Sequence, residues 1–494
     1  MKAKITLVVF LLCFLSASGV LHGQMGASEL NVAIQFEQEK RFDDALRQYE
    51  RIINSNDAAD AIKLEAKVRA GQLYLDQKND VARAVPLFEE GMKALGFRDI
   101  VAMATVNSGK AMLAKATSKA ELDSALSEFD TVSRTYASSP SVVEALIRGG
   151  LVMELQRKYE QAIINYQSVV FGFSTSPYAS QAFERLGYTL ARLGRIQDAL
   201  GAYQNLQVRY RGQAAAASAR KSATLLYRLF LLKSNSPAIF TSNVLAAKSE
   251  SFKPDDPSKL VYLPASGELT LVDKAREFVL PVSGPPRLTT SKLPDCVDSR
   301  GVKYQITQKT LAVENSKPLL PYIKKPDKQE PFDEILACGI SMYGDVVLST
   351  KGPDGIYRVD VKTGESTPFV MVQKPARKIL LDSESNYYFL DPNGTMVSVT
   401  DSRGKSITAL TAQTLGIKEF ADFTLDAFDN LYLLDKQGKF VIVSIEQGKE
   451  IKLTTIHKQD IMEASKPATN LRAIAVSPSG TVYVAAKESV LAFQ

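Results

Sequence analysis

Proline is distributed very unevenly along this chain of 494 residues, and no other feature constrains the fold as strongly. Only three of the 21 prolines, Pro86, Pro140 and Pro177, precede residue 234. Proline breaks helix interiors because it has no amide donor and clashes with the preceding turn. The first part of the chain can therefore be helical. The second part alternates β-branched and aromatic residues between Gly, Asp, Asn and Pro turns, which predicts strands.

The first 23 residues are predicted to form a secretory signal peptide. Lys2 and Lys4 precede an apolar run over residues 5–15, and small residues follow from Ser16. A basic start, an apolar core and small residues in this order are typical of such signals. The alternative is an uncleaved membrane anchor, which needs about 20 apolar residues. We expect cleavage, a product in the periplasm or the medium, and no integral membrane segment after cleavage.

Five copies of one helical pattern occupy residues 28–230. Segments 41–53, 158–170 and 195–207 each place an Ala four residues before a Tyr, with an apolar residue three positions further on. A repeating unit of this length predicts stacked helix pairs that bury a continuous core. The Ala positions recur every 37–41 residues, at Ala45, Ala84, Ala125, Ala162 and Ala199.

This pattern resembles the tetratricopeptide repeat (TPR), and the links at 135–140 and 173–182 resemble those of periplasmic TPR scaffold proteins. The resemblance implies a binding scaffold whose groove is lined by the first helix of each pair. Aligning Gly150 with Gly187 places five side chains on that face. Two interpretations stay open for them, solvated helix residues or a groove for a peptide or partner helix. The five are Glu144, Glu154, Gln181, Glu184 and Tyr188.

The second half repeats as well, with six units that each contain a polar turn, an apolar strand, a Gly-containing turn and a second strand. Equivalent points lie 42–50 residues apart, a spacing typical of propeller blades. Segments 385–391 and 429–435 resemble the core of NHL-type propellers. The last unit stops after its third strand, and a closed ring needs a fourth. Segment 238–247 is the candidate donor of that strand.

These observations predict an α plus all-β multidomain chain. The expected order is a signal peptide over 1–23, a TPR-like α-solenoid over 24–233, a linker over 234–258 and a six-bladed NHL-like β-propeller over 259–494. Both folds present large surfaces and require no particular chemistry.

The composition excludes several classes of activity. The chain has two histidines, His22 and His457, and three cysteines, too few for most His- or Cys-based catalysis and zinc sites. The net charge of +6 is not gathered into a basic block, so nucleic-acid binding is not indicated. No phosphate-binding loop or serine-nucleophile motif is present. We therefore expect no catalytic residue and no cofactor.

Three of the propeller units carry an Asp just after an apolar strand, at Asp298, Asp382 and Asp426, and Ser341 and Ser477 fill that place in two others. One interpretation is a turn in which the carboxylate binds its own backbone amides. The other is a ring of carboxylates that binds Ca²⁺. The architecture also resembles six-bladed lactonases, but their complete ligand set cannot be assembled here.

Cys296 and Cys338 are 42 residues apart, which is one blade period. They are therefore expected on the innermost strands of adjacent blades, with opposite side-chain parity. Opposite parity lets two facing blades bring the thiols together. A disulfide and two buried free thiols are both open interpretations.

A small basic segment, with Lys324, Lys325 and Lys328, is predicted as a loop inserted in blade 2. Two interpretations are open for it, a solvated linker or a contact with an anionic envelope polymer or lipid headgroups.

The favoured hypothesis is an exported, non-enzymatic protein–protein interaction scaffold of the bacterial cell envelope. Its partners would be other envelope proteins or peptides, bound through the TPR groove and the propeller face. One alternative is a Ca-dependent propeller hydrolase, lactonase or lyase with a TPR docking module. Another is a carbohydrate- or peptide-binding envelope component.

Overall fold

The computed structural model describes residues 26–231 except 95 and 117, and residues 242–493 except ten short gaps. The chain divides into two compact units, Met1–Ala182 and Phe183–Gln494. The predicted signal peptide and His457 lie outside the described residues. The gaps are 248–251, 264–265, 275, 282–283, 299–300, 352–354, 372–374, 437–439, 447–448 and 457–470.

Most of the described residues up to 231 are helical. The first ten helices form five consecutive pairs, and α11 and a π-helical turn follow them. No helix in the described ranges combines the length and apolar character needed to cross a bilayer. The helices are α1 (26–38), α2 (Phe42–Asn54), α3 (Asp60–Asp76), α4 (Val81–Met92), α5 (Arg98–Lys115), α6 (Lys119–Thr135), α7 (Val142–Leu155), α8 (Tyr159–Gly172), α9 (Ala179–Arg192), α10 (Ile196–Arg209) and α11 (Ala214–Leu226), and the π-helical turn is Tyr227–Leu231.

The two helices of each pair meet where a small residue faces an aromatic ring. On the second helix, the residue four positions after the repeated Ala is a fully buried Tyr or Phe. In four pairs the first helix offers a glycine, and a Cβ added there would lie 2.5–2.9 Å from that ring. This close approach confirms the TPR-type packing expected from the repeats. The four contacts are Gly71–Phe88, Gly109–Phe129, Gly150–Tyr166 and Gly187–Tyr203.

The glycine contact makes a direct prediction. In Gly150→Ala the new methyl group would lie 2.6 Å from the buried Tyr166 ring, so we expect the free energy of unfolding to fall by about 1–3 kcal/mol. Gly201→Ala is the control, because nothing lies within 4 Å of its added Cβ. That variant should be neutral or more stable by up to about 1 kcal/mol through helix propensity. Urea denaturation followed by circular dichroism measures both, and equal effects would contradict the packing role.

The described strands of the second half form six small sheets, so the predicted six-bladed propeller is confirmed. Blade 1 has β2 (Pro257–Leu263), β3 (Glu268–Asp273), β4 (Arg276–Leu280) and β5 (Arg287–Thr289). Blade 2 has β6 (Cys296–Val297), β7 (Lys303–Ile306) and β8 (Leu311–Val313). Blade 3 has β11 (Ile335–Ile340), β12 (Val346–Thr350), β13 (Gly355–Val359) and β14 (Glu365–Met371), extended by β9 (Tyr322–Lys324) and β10 (Gln329–Pro331).

The remaining three blades have four strands each. Blade 4 has β15 (Lys378–Leu381), β16 (Tyr387–Leu390), β17 (Met396–Thr400) and β18 (Ser406–Thr411). Blade 5 has β19 (Phe420–Leu425), β20 (Leu431–Asp435), β21 (Phe440–Glu446) and β22 (Lys449–Ile456). Blade 6 has β23 (Leu471–Val476), β24 (Val482–Ala486) and β25 (Ser489–Phe493), completed by β1 (Ser242–Ala247).

The ring is closed by a strand that comes before the first blade. β1 pairs antiparallel with β25, from Ser242 opposite Phe493 to Ala247 opposite Ser489. This pairing covers the open edge of the last blade, where unpaired backbone groups would otherwise template association. The predicted strand donor is therefore confirmed, over the second part of segment 238–247.

The basic segment around Lys325 is not a loop within blade 2. It forms the β9–β10 hairpin, and β9 runs parallel to β14, so the hairpin extends the outer edge of blade 3. Lys324 lies 3.7 Å from the Glu365 carboxylate, and both Lys325 and Lys328 pair with Glu330. Strand pairing and charge compensation, which the local sequence does not display, explain the difference from the prediction.

The predicted domain boundaries stay a prediction. The predicted linker, 234–258, contains β1, which is the strand expected within 238–247, and β2 begins at Pro257. Residues from Phe183 onward belong to the same compact unit as the propeller. Within that unit, α9 and α11 contact propeller turns. At α11, a Cβ added to Gly480 of blade 6 would lie 2.7 Å from the Leu225 side chain.

Candidate functional site

One acidic or hydroxyl side chain closes the turn after the innermost strand in five blades. Asp382 Oδ1 accepts two N–H groups of its own turn, both at 2.9 Å, and Asp426 Oδ1 accepts two at 2.8 and 3.0 Å. Asp298, Ser341 and Ser477 accept turn N–H groups at 2.9–3.2 Å. The turn interpretation of the three Asp residues is confirmed. Within the described residues, no group of three or more His, Cys, Asp or Glu side chains could hold a metal ion.

Two of these turns have a side chain where the others have glycine. Glycine stands at the fourth position of three turns, with φ of 80–85°, whereas Ser385 and Asp429 stand there in blades 4 and 5, with φ of 61° and 63°. Left-handed backbone is unfavourable for most residues other than glycine. Both side chains are used: Ser385 Oγ accepts the Met342 N–H of blade 3 at 2.9 Å, and Asp429 binds Arg192.

Arg192, at the end of α9, connects the helices of the second unit to blades 4 and 5. One terminal nitrogen, Nη1, lies 2.7 Å from Asp429 Oδ2 and donates to the Phe428 carbonyl oxygen at 2.7 Å. The other, Nη2, donates to Glu384 Oε1 at 3.0 Å. The side chains of Arg192, Glu384 and Asp429 are all largely buried. Buried charges are costly unless they are paired, so each of these ions depends on the opposite charge beside it.

Burial raises the pKa of the acidic side chains around this guanidinium. It raises the pKa of Asp382 to about 6, and the nearby Asp429 carboxylate pushes in the same direction. Burial also raises the pKa of Asp426 to about 6, against the hydrogen bonds from Asn430. Burial raises the pKa of Asp429, and the Arg192 cation opposes that shift. The turns of blades 4 and 5 therefore concentrate negative charge that Arg192 offsets.

Tyr188, one of the predicted groove residues, stacks on a propeller residue. Its ring centroid lies 5.8 Å from that of Phe428, at an interplanar angle of 22°. The Arg185 guanidinium carbon lies 4.4 Å from the centre of the Tyr188 ring. The sequence could not reveal this contact, because nothing in the α9 pattern distinguishes a solvent-facing side from one covered by a blade turn.

The Arg192 contacts make the next prediction. Arg192→Met leaves Asp429 and Glu384 without their cation, so we expect the free energy of unfolding to fall by about 2–4 kcal/mol. Arg195→Met is the matched control, because its pair with Asp198 is about half exposed. The control should change stability by no more than about 0.5 kcal/mol. Urea unfolding of both variants decides the matter, and indistinguishable midpoints would rule out Arg192 as an anchor.

Glu144, one of the predicted groove residues, lies in an internal ion-pair chain. The Lys110 ammonium, 7% exposed, donates to Asp76 Oδ2 at 2.8 Å and lies 3.5 Å from Glu144 Oε1. Burial, followed by the negative charge of Glu144, raises the pKa of Tyr178. Glu144 is therefore engaged within the chain. These four side chains, Asp76, Lys110, Glu144 and Tyr178, are spaced 34 residues apart, a signal that the sequence analysis missed.

The other three predicted groove residues have simpler placements. Glu154 is buried on α7, whereas Gln181 and Glu184 are half-buried on α9. A partner-binding role for these residues stays a prediction.

The innermost strands surround a cavity of about 220 Å³ with charged walls. Lys378 of blade 4 donates to Asp422 Oδ1 of blade 5 at 2.6 Å and to the Phe423 carbonyl oxygen at 2.7 Å. Asp422 Oδ2 accepts the Ile474 N–H of blade 6 at 3.0 Å. Lys259 of blade 1 donates to the Pro294 carbonyl oxygen at 3.0 Å.

The sequence held a signal for this cavity as well. Lys378 and Asp422 each stand four residues before the turn Asp of consecutive blades, so they occupy equivalent points of adjacent innermost strands. Opposite charges at equivalent points of neighbouring blades predict an ion pair across the channel. Each charge, taken alone, only interrupts an apolar strand, so the pair becomes apparent only when the two blades are aligned.

Cys296 and Cys338 are joined by a disulfide between β6 of blade 2 and β11 of blade 3, with Cα atoms 6.0 Å apart. Of the two interpretations left open by the sequence, the structure has the disulfide. Cys338 also lines the central cavity, so the bridge ties two of its walls together.

Comparisons with solved structures give similarities of low identity, each over part of this chain. No family model and no curated protein matches the chain. Streptogramin B lyase is 11% identical, with a TM-score of 0.35, over 52% of this chain and 97% of that chain. A thermophilic TPR protein of Thermus thermophilus is 19% identical, with a TM-score of 0.31, over 39% and 98%. The MamA protein is 18% identical, with a TM-score of 0.28, over 39% and 95%.

Proposed function

We propose that the protein is an exported, non-enzymatic scaffold of the bacterial cell envelope that binds other envelope proteins or peptides. TPR solenoids and propellers are both platforms for protein interaction. The observation that carries the proposal is a pair of large apolar side chains that are exposed on α8, the second helix of the fourth repeat.

Phe171 near the end of α8 is 73% exposed, and Ile164, two turns earlier on the same helix, is 62% exposed. Large apolar side chains exposed on one face of a helix are typical of a contact surface.

Two observations support export. The basic and apolar order of the first residues is that of a signal peptide. The Cys296–Cys338 disulfide fits an oxidising compartment, since disulfides are rare where thiols are kept reduced.

The geometry of the acidic turns supports a scaffold over the Ca-dependent hydrolase. A metal-binding carboxylate must direct its oxygens at the ion. Asp382 and Asp426 direct theirs at their own turns: Oδ1 accepts backbone N–H groups, and Oδ2 accepts the amide Nδ2–H of Asn386 and Asn430 respectively.

Photo-crosslinking in the native cells tests the scaffold proposal. A photoreactive phenylalanine analogue replaces Phe171 or, separately, Ile164, and we expect crosslinked adducts of defined mass at both positions. Arg134 of α6 is the control, because it is the equivalent position one repeat before Phe171 and its side chain is 81% exposed. Phe171→Asp should reduce capture without lowering stability. Equal crosslinking at Arg134, or none at Phe171, would refute the proposed surface.

N-terminal sequencing of the protein from its own cells tests export. We expect the mature chain to begin beyond Ser16, after removal of Lys2 and Lys4, and to fractionate with the periplasm or the medium without detergent. A chain that begins at Met1, or that is recovered only with detergent, would contradict the proposal.

A further inference from the structure

We propose that the central cavity of the propeller binds a small oxyanion, a carboxylate or a phosphate, through the ammonium group of Lys259 with Lys378 beside it. The proposal is independent of the scaffold function. It rests on the cavity, on the arrangement of charges along its walls and on which hydrogen-bonding groups are already satisfied.

The carboxylates at this site are committed to the protein. Asp422 accepts Lys378 at one oxygen and the Ile474 N–H at the other. Asp295 Oδ2 accepts the Gln305 side-chain amide and the Ile306 N–H, both at 2.7 Å. Hydrogen-bond acceptors are therefore largely occupied, which disfavours a cation as the ligand.

Lys259 is in the opposite position. An ammonium group has three N–H donors. Within the described part of the chain, Lys259 donates to one neutral acceptor, the Pro294 carbonyl oxygen. Buried charges are stable in proteins when they are paired. An anion in the cavity would supply a further acceptor to this ammonium group.

The charged groups that face Lys259 do not restore its ordinary pKa. Burial lowers the pKa of Lys259, and the Lys378 cation pushes in the same direction. Asp295, Glu277 and Asp422 push against that shift without reversing it. A bound oxyanion would favour the protonated amine, so binding should take up a proton at alkaline pH.

The walls suit an anion of a few heavy atoms. A volume of about 220 Å³ is several times the roughly 30 Å³ that one water occupies in the liquid. Arg377 also lines the cavity and donates to the Phe420 and Ala421 carbonyl oxygens. The rest of the lining includes the apolar Ile379 and Leu390 and the disulfide-bonded Cys338. This apolar surrounding strengthens the attraction between the ammonium group and an anion.

Isothermal titration calorimetry on the full chain tests the site, with inorganic phosphate and succinate as separate probes. We expect at least one probe to bind, and the preferred probe tells phosphate from carboxylate ligands. Titration in two buffers of different ionisation enthalpy should reveal proton uptake, and affinity should weaken as pH rises through the lowered pKa of Lys259. Absence of binding by both probes overturns the proposal.

Variants localise the binding to the cavity. Lys259→Met removes the charge at similar length and should weaken binding by at least about tenfold, whereas Lys259→Arg should retain it. Lys351→Met is the control, because Lys351 is an exposed residue of the same propeller, paired with Glu334. Binding that survives Lys259→Met, or that Lys351→Met weakens equally, sinks the proposal. If Lys259→Met does not fold, the proton uptake of the unaltered chain decides: none would overturn it.

Discussion

The antiparallel pairing of β1 with β25 is the interaction on which the second unit depends. Each propeller blade buries its faces against its two neighbours, so the ring is stable only when its last edge is covered. The covering strand, Ser242–Ala247, precedes the first blade in sequence, which joins the two ends of the propeller. Closure then brings the innermost strands around one cavity and sets the turns of blades 4 and 5 close enough for a single guanidinium to reach both.

The propeller has two clusters of buried charges, and they differ in which charges have partners within the chain. At the turns, buried acids outnumber cations, and Arg192 from α9 supplies the compensation, so that cluster holds helices on blades. In the cavity, Asp422 and Asp295 have protein partners, while Lys259 has one neutral acceptor among the described residues. Buried ions require partners. The first cluster is therefore complete within the chain, and the second is suited to a ligand.

The helix pairs keep the same glycine–ring contact although the number of residues between the glycine and the repeated Ala varies. In the third repeat Gly109 stands sixteen residues before Ala125, whereas Gly150 and Gly187 stand twelve before their Ala. All three nevertheless lie against the ring four residues after that Ala. The longer interval is accommodated between the helices, because the contact depends on which faces meet and not on the number of residues between them. The pairing of a small residue with a large ring therefore predicts the helix contact better than the exact length of the repeat does.

Local sequence was enough to predict the two repeat folds, the six blades, the donated strand and the role of Asp298, Asp382 and Asp426. These features depend on local periodicity and turn chemistry, which are written in neighbouring residues. Tertiary structure alone decided that Tyr188 meets Phe428, that Glu144 pairs with Lys110, and that Lys259 and Lys378 share a cavity. It also decided between a disulfide and free thiols at Cys296 and Cys338. Such contacts join residues from different repeats or blades, and the distance between them is set by how whole elements pack.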